Sequence, residues 1–186
     1  MPAAPLPLLE TECVDPRDLI DNENNSRIHS AAQIEGIARS IERFGFNAQV
    51  LLKDDGRTIG AGHGRRLGAL LLIERGIPIP RSPDGVKIPT ATLRGLTPAE
   101  WRAYVIADNQ LALTSEWDLD VLAAELEALR SDDADLATFT GFSDEDLDSI
   151  LNEVTANFQP LNPEEVKPLD RLVVKKCPNC GHDFRA

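Results

Sequence analysis

Residues 60–69 of this 186-residue chain have the sequence GAGHGRRLGA, which holds four glycines, one histidine and two arginines. This segment lies between VLLKDDGRTI and the apolar segment LLLIERG. Gly60 and Gly62 allow a sharp turn after a strand, and Gly64 allows the backbone to approach a ligand closely. A helix that begins near Gly64 directs unpaired N–H groups and the positive end of its dipole into that turn.

The side chains of this segment match either a phosphate site or a plain turn. His63, Arg65 and Arg66 carry N–H donors that suit phosphate oxygens. Glycine-rich turns also precede many helices that bind nothing, and arginines at such a turn are well solvated. The spacing alone leaves both interpretations open.

The flanking sequence contains candidate strands. Four short segments rich in apolar or β-branched residues are predicted to be strands: LLETECV (8–14), AQVLLK (48–53), RTIGA (57–61) and VKIPTATL (86–93). The sequence Asp54-Asp55-Gly56 predicts a hairpin turn between the second and the third. Because proline cannot donate to a sheet ladder, Pro89 predicts that the fourth strand lies at a sheet edge.

Amphipathic helices alternate with these strands. Ser30 and Gln33 form a capping-box pattern, and Gly45 ends a helix whose apolar residues recur at the helical period: Ile34, Ile37, Ala38, Ile41 and Phe44. A second helix, RRLGALLLIER, follows the glycine-rich turn, and Thr97 caps a third, PAEWRAYVIADNQLAL. This order predicts an α+β fold.

Charge divides the chain into two halves. Residues 1–100 carry 12 Lys and Arg against 13 Asp and Glu, whereas residues 101–186 carry 7 against 18. The second half contains two acidic amphipathic helices, DLDVLAAELEALR and DEDLDSILNEV. Because an acidic surface repels nucleic-acid phosphates, we expect weak DNA binding by this chain and no DNA-reading helix. No apolar run is long enough to span a bilayer, so the expected location is cytoplasmic, without a membrane anchor.

The C-terminal segment CPNCGH contains a possible metal half-site. Cys177 and Cys180 have the spacing of one knuckle of a zinc ribbon, and a closed structural zinc site needs four ligands. Three interpretations stay open: the pair meets a second copy of itself in a dimer, it recruits Cys13, or it forms a hairpin without metal. His182 is too close to Cys180 in sequence to be a good further ligand. A redox role is weaker, because no helix start follows the pair to lower a thiol pKa.

Three sequence blocks together resemble a known superfamily. The blocks N-S-R-x-H-S-x-x-Q-I-x-x-I-A-x-S-I-x-x-F-G-F, G-A-G-H-G-R and R-A-Y-V-I-A-D-N-Q-L-A-L occur in this order. They closely resemble the ParB/sulfiredoxin superfamily, and within it the phage- and prophage-type ParB-like nuclease branch. The resemblance covers about residues 8–150. We therefore expect a ParB/sulfiredoxin-like domain (1–112), an acidic helical extension (113–155), a proline-containing linker (156–172) and a short zinc-ribbon-like tail (173–186).

The resemblance implies a nucleotide site at the glycine-rich turn. That turn binds the phosphates of CTP in chromosome-partition ParB, which carries Gly-Glu-Arg-Arg, and of ATP in sulfiredoxin, which carries Gly-Cys-His-Arg. In the matching residues Gly62, His63, Gly64 and Arg65, only the first and last agree with both patterns. Since the sulfiredoxin cysteine is absent, reduction of cysteine sulfinic acids is not expected. The implied nucleotide-binding residues are Arg27, Gly60, Gly62, His63, Gly64, Arg65, Arg66 and Asn109.

Two further segments align with family positions. Arg27 matches a loop arginine that reaches into the nucleotide pocket, although an exposed loop residue is an equal alternative. Asp108 and Asn109 match an acidic residue and an asparagine that help to hold a divalent ion on the triphosphate. Carboxylate and amide oxygens suit Mg²⁺, which binds through few protein ligands plus phosphates and water. The alternative is that both side chains only form hydrogen bonds within their helix.

These observations favour a nucleotide-binding ParB-like protein of phage or mobile-element DNA metabolism. Its expected ligands are a nucleoside triphosphate with Mg²⁺ and, at the tail, Zn²⁺. Its expected partners are a second copy of the chain and a DNA-modifying enzyme, such as a DNA methyltransferase, or a partition system. One alternative is a metal-dependent nuclease or NTPase with His63 and Asp108 as catalytic candidates, although no second acid is obvious. Another is a non-catalytic adaptor whose acidic helices bind a basic partner.

Overall fold

A four-stranded mixed sheet organises the N-terminal part of the chain. The computed structural model describes residues 7–157, 174–176 and 183–185. The four strands are β1 (Glu10–Val14), β2 (Val50–Leu52), β3 (Ile59–Ala61) and β4 (Ile88–Thr92), and they lie in the order β1-β4-β2-β3. β2 and β3 form the predicted antiparallel hairpin, while β4 runs antiparallel to β1 and parallel to β2.

The position of β4 corrects one prediction. β4 is an inner strand and not an edge strand, although it contains Pro89. Pro89 pairs with Cys13 on β1, and the pairing with β2 begins one residue later, where Thr90 lies opposite Val50. Because β2 does not extend alongside Pro89, the missing N–H interrupts no bond of the parallel ladder.

Three helices complete this domain: α1 (Ala31–Phe44), α2 (His63–Glu74) and α3 (Pro98–Leu111). Helices α1 and α2 share a core with the sheet, formed chiefly by Ala38, Ile41, Val50, Leu52, Ile59, Ala69, Leu72 and Ile88. A Cβ atom at Gly68 would lie 2.9 Å from Ile37 Cγ2, so glycine at this position permits the close approach of α1 and α2. The Arg75 guanidinium donates two hydrogen bonds to the Glu35 carboxylate across the same pair, at 2.8 and 2.7 Å.

The helix ends largely follow the sequence signals. At α3 the capping box is complete, because Thr97 and Glu100 accept each other's backbone N–H. At α1 it is half-formed: Ser30 Oγ accepts from Gln33 N at 3.1 Å, while Gln33 Oε1 lies 3.0 Å from His29 Nδ1. Gly45 follows α1 with a φ of 89°, in the left-handed region that glycine adopts without strain.

Helix α3 packs on β3 through an aromatic side chain. Trp101 is buried, and a Cβ atom at Gly60 would lie 2.4 Å from Trp101 Cη2. Real Cβ atoms do not approach other atoms this closely, so the indole ring occupies the space that any larger residue at position 60 would need. Gly60 therefore determines how α3 lies against the sheet.

The helical extension contains α4 (Leu119–Asp132), α5 (Ala134–Ala137) and α6 (Asp144–Asn157). The four-residue helix α5 was not predicted, because it is too short to display a helical period. Before α4, Trp117 is 66% exposed and makes an edge contact with Phe142, with ring centroids 5.9 Å apart. Since α6 ends at Asn157, the predicted linker from residue 156 begins inside a helix.

The C-terminal part that the structure describes is a two-stranded antiparallel ribbon. β5 (Val174–Lys176) pairs with β6 (Asp183–Arg185). Cys177, Cys180 and His182, with the remainder of the predicted linker, lie outside the described residues, so the zinc prediction stays a prediction. Within the described ranges, no helix is long and apolar enough to cross a membrane.

Candidate functional site

A cavity of about 250 Å³ opens where three segments of the domain meet. One wall is the loop before α1, with Asn25, Arg27 and His29. Gln33 and Ile37 follow from α1 itself. The first turn of α2 and the C-terminal half of α3 form the remaining walls. The cavity therefore lies at the glycine-rich turn that the sequence singled out.

The start of α2 is exposed to this cavity as a set of backbone donors. Gly62 is the N-cap residue with a φ of 98°, and no side chain caps the helix. The first helical bond runs from Arg66 N to Gly62 O at 3.0 Å. The N–H groups before it have no intrahelical acceptor, and together with the helix dipole they favour a bound anion. The predicted turn and helix start are confirmed, with α2 beginning at His63.

Gly64 has a packing role beside the cavity. A Cβ atom at this position would lie 3.0 Å from both His29 Cε1 and Ile37 Cδ1. Glycine thus allows the His29 ring and α1 to pack on the first turn of α2. The sequence predicts that a ligand approaches the backbone at Gly64, whereas the nearest neighbours of this position are protein side chains.

Arg65 is the charged group most deeply placed in the cavity wall. Its Nη2 donates to Gln49 O at 3.0 Å, and its Nε is buried without a hydrogen-bond partner among the described residues. Burial lowers the pKa of the guanidinium, whereas the Asp108 carboxylate and Tyr104 raise it. Because the ordinary pKa of arginine lies above 12, the group stays cationic at neutral pH. A buried cation with an unpaired N–H calls for an acceptor.

His63 is 7% exposed and is held as a neutral imidazole. The backbone N–H of Asn22 donates to His63 Nε2 at 3.4 Å, which assigns the ring proton to Nδ1. Burial is the main reason that the pKa of His63 lies below its usual value; His29 and Arg66 lower it further, whereas Asp21 raises it. His63 therefore adds a hydrogen-bonding group to the cavity and no positive charge near neutral pH.

The loop before α1 directs every second residue towards the cavity. Asn25 Oδ1 accepts from Arg27 N at 3.2 Å and Asn25 Nδ2 donates to Arg27 O at 3.2 Å, which fixes the loop. Arg27 lines the cavity, and its side chain makes no ion pair or hydrogen bond to the described residues. Arg27 is partly exposed at the cavity wall, and its role in binding stays a prediction.

Helix α3 contributes Asp108 and Asn109 opposite the start of α2. Asp108 Oδ1 accepts a long hydrogen bond of 3.5 Å from Tyr104 Oη, and Asn109 Nδ2 donates to Val105 O at 2.9 Å. The Asn109 amide oxygen stays available as an acceptor. One carboxylate and one amide oxygen fit Mg²⁺ only if phosphates and water supply the other ligands. In residues 7–157 and the ribbon strands, no three His, Cys, Asp or Glu side chains cluster as a metal site.

Two predicted binding residues do not line the cavity. Gly60 contacts Trp101 instead. The Arg66 guanidinium, 12% exposed, donates to Pro16 O at 2.8 Å and to Leu19 O at 3.0 Å, and it pairs with both oxygens of Asp21 at 3.0 Å. Adjacent residues on a helix lie about 100° apart, so only one of the two arginines faces the cavity.

Other lining residues had no role in the sequence prediction. Asn25, His29 and Gln33 line the cavity. Burial alternates along residues 25–30, in the manner of an extended strand with one covered face. The sequence carries no matching signal, because Ser26 and Ser30 are as polar as the residues of this wall and Ile28 is the one apolar residue among positions 25–30.

A second, more apolar cavity of about 440 Å³ adjoins the first. The two share Ile37 and Arg65, and the second is also lined by Ile41, Phe44 and Phe46. The Arg65 side chain thus lies between a polar compartment and an apolar one. A ligand with one charged end and one flat apolar end fits this division.

Comparison with known proteins identifies the family. No protein-family model matches the chain. Over 63 residues it is 35% identical to the ParB-like nuclease domain-containing protein YnaK of Escherichia coli (strain K12), and the alignment covers 34% of this chain and 71% of that protein. The chain belongs to the ParB-like family. This ParB-like assignment confirms the superfamily that the sequence blocks suggested, while the phage or prophage branch stays a prediction.

A solved structure supports the ParB-like fold. The C-terminally truncated chromosome-partitioning protein ParB from Caulobacter crescentus, solved in complex with CTP-γ-S, has a TM-score of 0.59 to this chain. The match covers 78% of this chain and 79% of that one at 16% identity. At this identity the similarity establishes the fold and leaves the ligand to be argued from the cavity.

Proposed function

We propose that this ParB-like protein binds a nucleotide by its phosphates in the cavity at the start of α2. The observation that carries the proposal is the buried Arg65 Nε without an acceptor, beside a helix start without a side-chain cap. A phosphate group supplies acceptors for both at once, and hydrogen bonds between charged partners are the strongest in proteins. A neutral ligand would leave the Arg65 cation uncompensated.

The adjoining cavity supports a nucleotide over a free phosphate. Ile41, Phe44 and Phe46 give it apolar walls suited to a flat ring, and Arg65 lies between it and the phosphate compartment. The solved ParB of similar fold was crystallised with a CTP analogue, which supports a nucleotide as the ligand class. The sequence departs from the ParB turn at His63 and Gly64, so we do not assign the base.

The residues on α3 fit a divalent ion carried by the nucleotide. We propose that Asp108 and the Asn109 amide oxygen contact Mg²⁺ bound to the phosphates. The ion would neutralise phosphate charge and orient the phosphate chain. Arg27 and Arg65 would bind the remaining phosphate oxygens from the opposite walls.

We place this role in DNA metabolism of a phage or mobile element, as a homodimeric accessory of a DNA-modifying or partition system. The name of the Escherichia coli relative and the ParB neighbour support a connection with DNA. Residues 113–155 carry thirteen Asp and Glu and one Arg, which opposes direct DNA binding. We expect only weak binding to nonspecific duplex DNA at physiological salt, and a sub-micromolar dissociation constant would contradict this.

A metal-dependent nuclease is less well supported by the geometry. Asp108 is the carboxylate among the residues that line the cavity, whereas metal-assisted hydrolysis of phosphodiesters commonly holds its ions with several. His63 Nε2 already accepts from the Asn22 backbone and is not free to take a proton from water. A binding function requires neither a second carboxylate beside Asp108 nor a free base at His63.

A thermal-shift series tests the proposed function. ATP, CTP, GTP and UTP are compared with and without Mg²⁺; a ligand at a hundred times its Kd should stabilise the protein by about 2.7 kcal/mol. Arg65→Ala should weaken binding by roughly 1.5–3 kcal/mol, since it removes a charge-assisted contact. Arg57→Ala, an exposed arginine in the β2–β3 turn, is the matched control. If no nucleotide binds, or if Arg65→Ala changes the affinity less than twofold, the proposal is wrong.

A further inference from the structure

A third cavity, of about 120 Å³, lies beside α3 and shares no lining residue with the two cavities described above. The loop before α1 contributes two asparagines to it, and α3 contributes four side chains. The residues that line it are Asn22, Asn24, Trp101, Arg102, Val105 and Ile106. The proposed nucleotide site uses none of these side chains, so the third cavity calls for a ligand of its own.

The apolar part of the third cavity comes from α3. Trp101 and Val105 are 7% and 3% exposed, so the packing of α3 on the sheet holds them in place. Ile106 is 61% exposed and adds an apolar group at the rim. A cavity of roughly 150 Å³ accommodates one benzene ring. The third cavity therefore suits a single branched aliphatic side chain and is too small for a nucleotide.

The polar part of the third cavity consists of hydrogen-bond donors without acceptors. Arg102 is exposed, and its guanidinium makes no ion pair or hydrogen bond to residues 7–157 or to the two ribbon strands. Asn22 Oδ1 accepts from Asn24 N at 3.0 Å, which leaves the Asn22 Nδ2 group as a donor. The Asn24 side chain likewise has no hydrogen-bond partner in the part of the chain that the structure describes.

A carboxylate with an adjoining apolar group matches both parts. A guanidinium binds a carboxylate through two parallel hydrogen bonds, and amide N–H groups add further donors. In the last residue of a peptide, the side chain branches from the carbon atom that is bonded to the carboxylate. The charged and apolar groups of such a ligand are therefore close together, as the donors and the apolar side chains of this small cavity are.

Two acidic residues of the same loop bear on this charge balance. Asp21 is paired with Arg66 at 3.0 Å. Glu23 is exposed and lies between the two asparagines in sequence, but it does not line the third cavity. Arg102 is the charged residue among those that line it, and the Glu23 carboxylate weakens its attraction for an anion from outside.

We propose that the third cavity binds a carboxylate that carries one branched apolar side chain, as at the C-terminus of a peptide that ends in leucine, isoleucine or valine. Arg102 and the two asparagine amides bind the carboxylate, and the side chain packs on the apolar residues of α3. This site goes beyond the proposed nucleotide site and does not depend on it. The ligand is either the C-terminus of a partner protein or a free branched-chain acid.

Titration of the full chain with small probes tests the proposal. The probes are N-acetyl-glycyl-leucine, its C-terminal amide, N-acetyl-glycyl-glycine and 4-methylpentanoic acid. The leucine peptide should bind saturably, and its amide should bind about tenfold more weakly because it lacks a charge-assisted contact. The glycine peptide should also bind severalfold more weakly, since it lacks the apolar side chain. Equal affinity of the leucine peptide, its amide and the glycine peptide would overturn the proposal.

The remaining outcomes separate the two sources of the ligand. Tighter binding of the leucine peptide than of 4-methylpentanoic acid would indicate a protein C-terminus, whereas the reverse order would indicate a free acid; both orders support the site. No saturation by either carboxylate up to about 10 mM would overturn it. Fluorescence follows the titration in Trp117→Phe, where Trp101, which lines the cavity, is the remaining tryptophan.

Variants at exposed positions locate the bound carboxylate. Arg102→Gln should weaken binding of the leucine peptide about five- to tenfold and leave the amide unaffected, because it removes the charge but keeps a neutral donor. Glu23→Gln should strengthen binding of the peptide about two- to fivefold. Arg43→Gln, at an exposed arginine on α1, makes the same change in net charge as Arg102→Gln and should alter neither affinity.

Thermal midpoints check that each variant is folded before it is titrated. If folded Arg102→Gln binds the leucine peptide as tightly as the wild type does, the carboxylate binds elsewhere and the proposal is wrong. Displacement of the peptide by a nucleotide would contradict it in the same way, since the ligand would then occupy the cavity at Arg65.

Discussion

The sheet domain and the helical extension are held together in different ways. In the domain, large apolar side chains from β2, β3, α2 and β4 are fully buried, including Leu52, Ile59, Leu72 and Ile88. Among the side chains of the extension that the structure describes, the buried apolar ones are two alanines and two leucines: Ala123, Leu126, Ala137 and Leu147. The extension also concentrates negative charge, which opposes its compact form. Its helices are expected to open more readily than the domain.

A small contact joins the two regions. The Arg39 guanidinium on α1 lies 5.2 Å from the Phe139 ring centroid, and Arg39 Nη2 donates to Thr138 Oγ1 at 3.0 Å. The Phe44 ring meets Phe139 edge-on, with centroids 5.9 Å apart. The domain thus has its own buried apolar core, whereas a few side chains join the extension to it.

The largest expected difference comes from removing a buried leucine in each region. Leu52→Ala should destabilise the domain by about 2–5 kcal/mol, because a fully buried side chain is replaced by a cavity. Leu126→Ala makes the same chemical change in α4 but should affect chiefly the extension. Urea unfolding followed by circular dichroism should show a separate loss of helix in the second variant. One common transition, shifted equally by both, would mean that the regions unfold as a unit.

A pair of glycine substitutions tests the packing of α3 on the sheet. Gly60→Ala should cost roughly 1–3 kcal/mol, because its Cβ would overlap the Trp101 ring. Gly36→Ala, on the exposed side of α1 with no atom within 4 Å of its new Cβ, should instead stabilise the protein by about 0.5–1 kcal/mol. Thermal denaturation measures both. Equal effects of the two variants would contradict the role of Gly60.

The joint between the regions should contribute less. A double-mutant cycle with Arg39→Ala and Phe139→Leu isolates the cation–π contact, for which we expect a coupling energy of about 0.5–1 kcal/mol. Arg43→Ala, on the exposed face of the same helix, is the control for loss of charge from α1. A coupling indistinguishable from zero would show that the extension is held by other contacts.

The smallest effect concerns pH. Burial keeps the pKa of His63 below its ordinary value, so the unfolded chain binds a proton more readily than the folded one. The free energy of unfolding should therefore fall as pH drops below about 6.5, down through the lowered pKa of the folded state. His63→Gln retains an acceptor for the Asn22 N–H and should flatten this part of the profile. A profile that is the same in both proteins would exclude His63 as the titrating group.

Sequence patterns predicted the domain better than they predicted the site. Caps and periodicity located α1 to α3 because these signals are local, and Gly45 and Thr97 act where the pattern placed them. The prediction that β4 is an edge strand was wrong. An inner strand accepts Pro89 because its pairing with β2 begins only at Thr90, and β2 is far away in the sequence. The residues adjacent to a strand in sequence do not determine which strands pair with it.

At the site, the sequence predicted the turn but not which residues of the turn face the cavity. Local spacing treats Arg65 and Arg66 alike, and only the family pattern marks Arg65; the phase of α2 and the position of Asp21 explain why Arg66 faces away from the cavity. Gly60 and Gly64 are similar cases, since their neighbours, Trp101 and His29, come from other elements. Motifs identify the backbone shape, whereas the tertiary fold decides which side chains are free.

The contrasting surroundings of the two tryptophans give the molecule two optical signals without any label. Trp101, buried against Gly60, should emit at shorter wavelength and resist quenchers, whereas the exposed Trp117 should emit as in water. Acrylamide should quench Trp117 first, and iodide should do so less efficiently, because Glu116, Asp118 and Asp120 surround it in sequence with negative charge. A red shift of the protected component then reports the departure of α3 from the sheet, while the accessible component follows the extension.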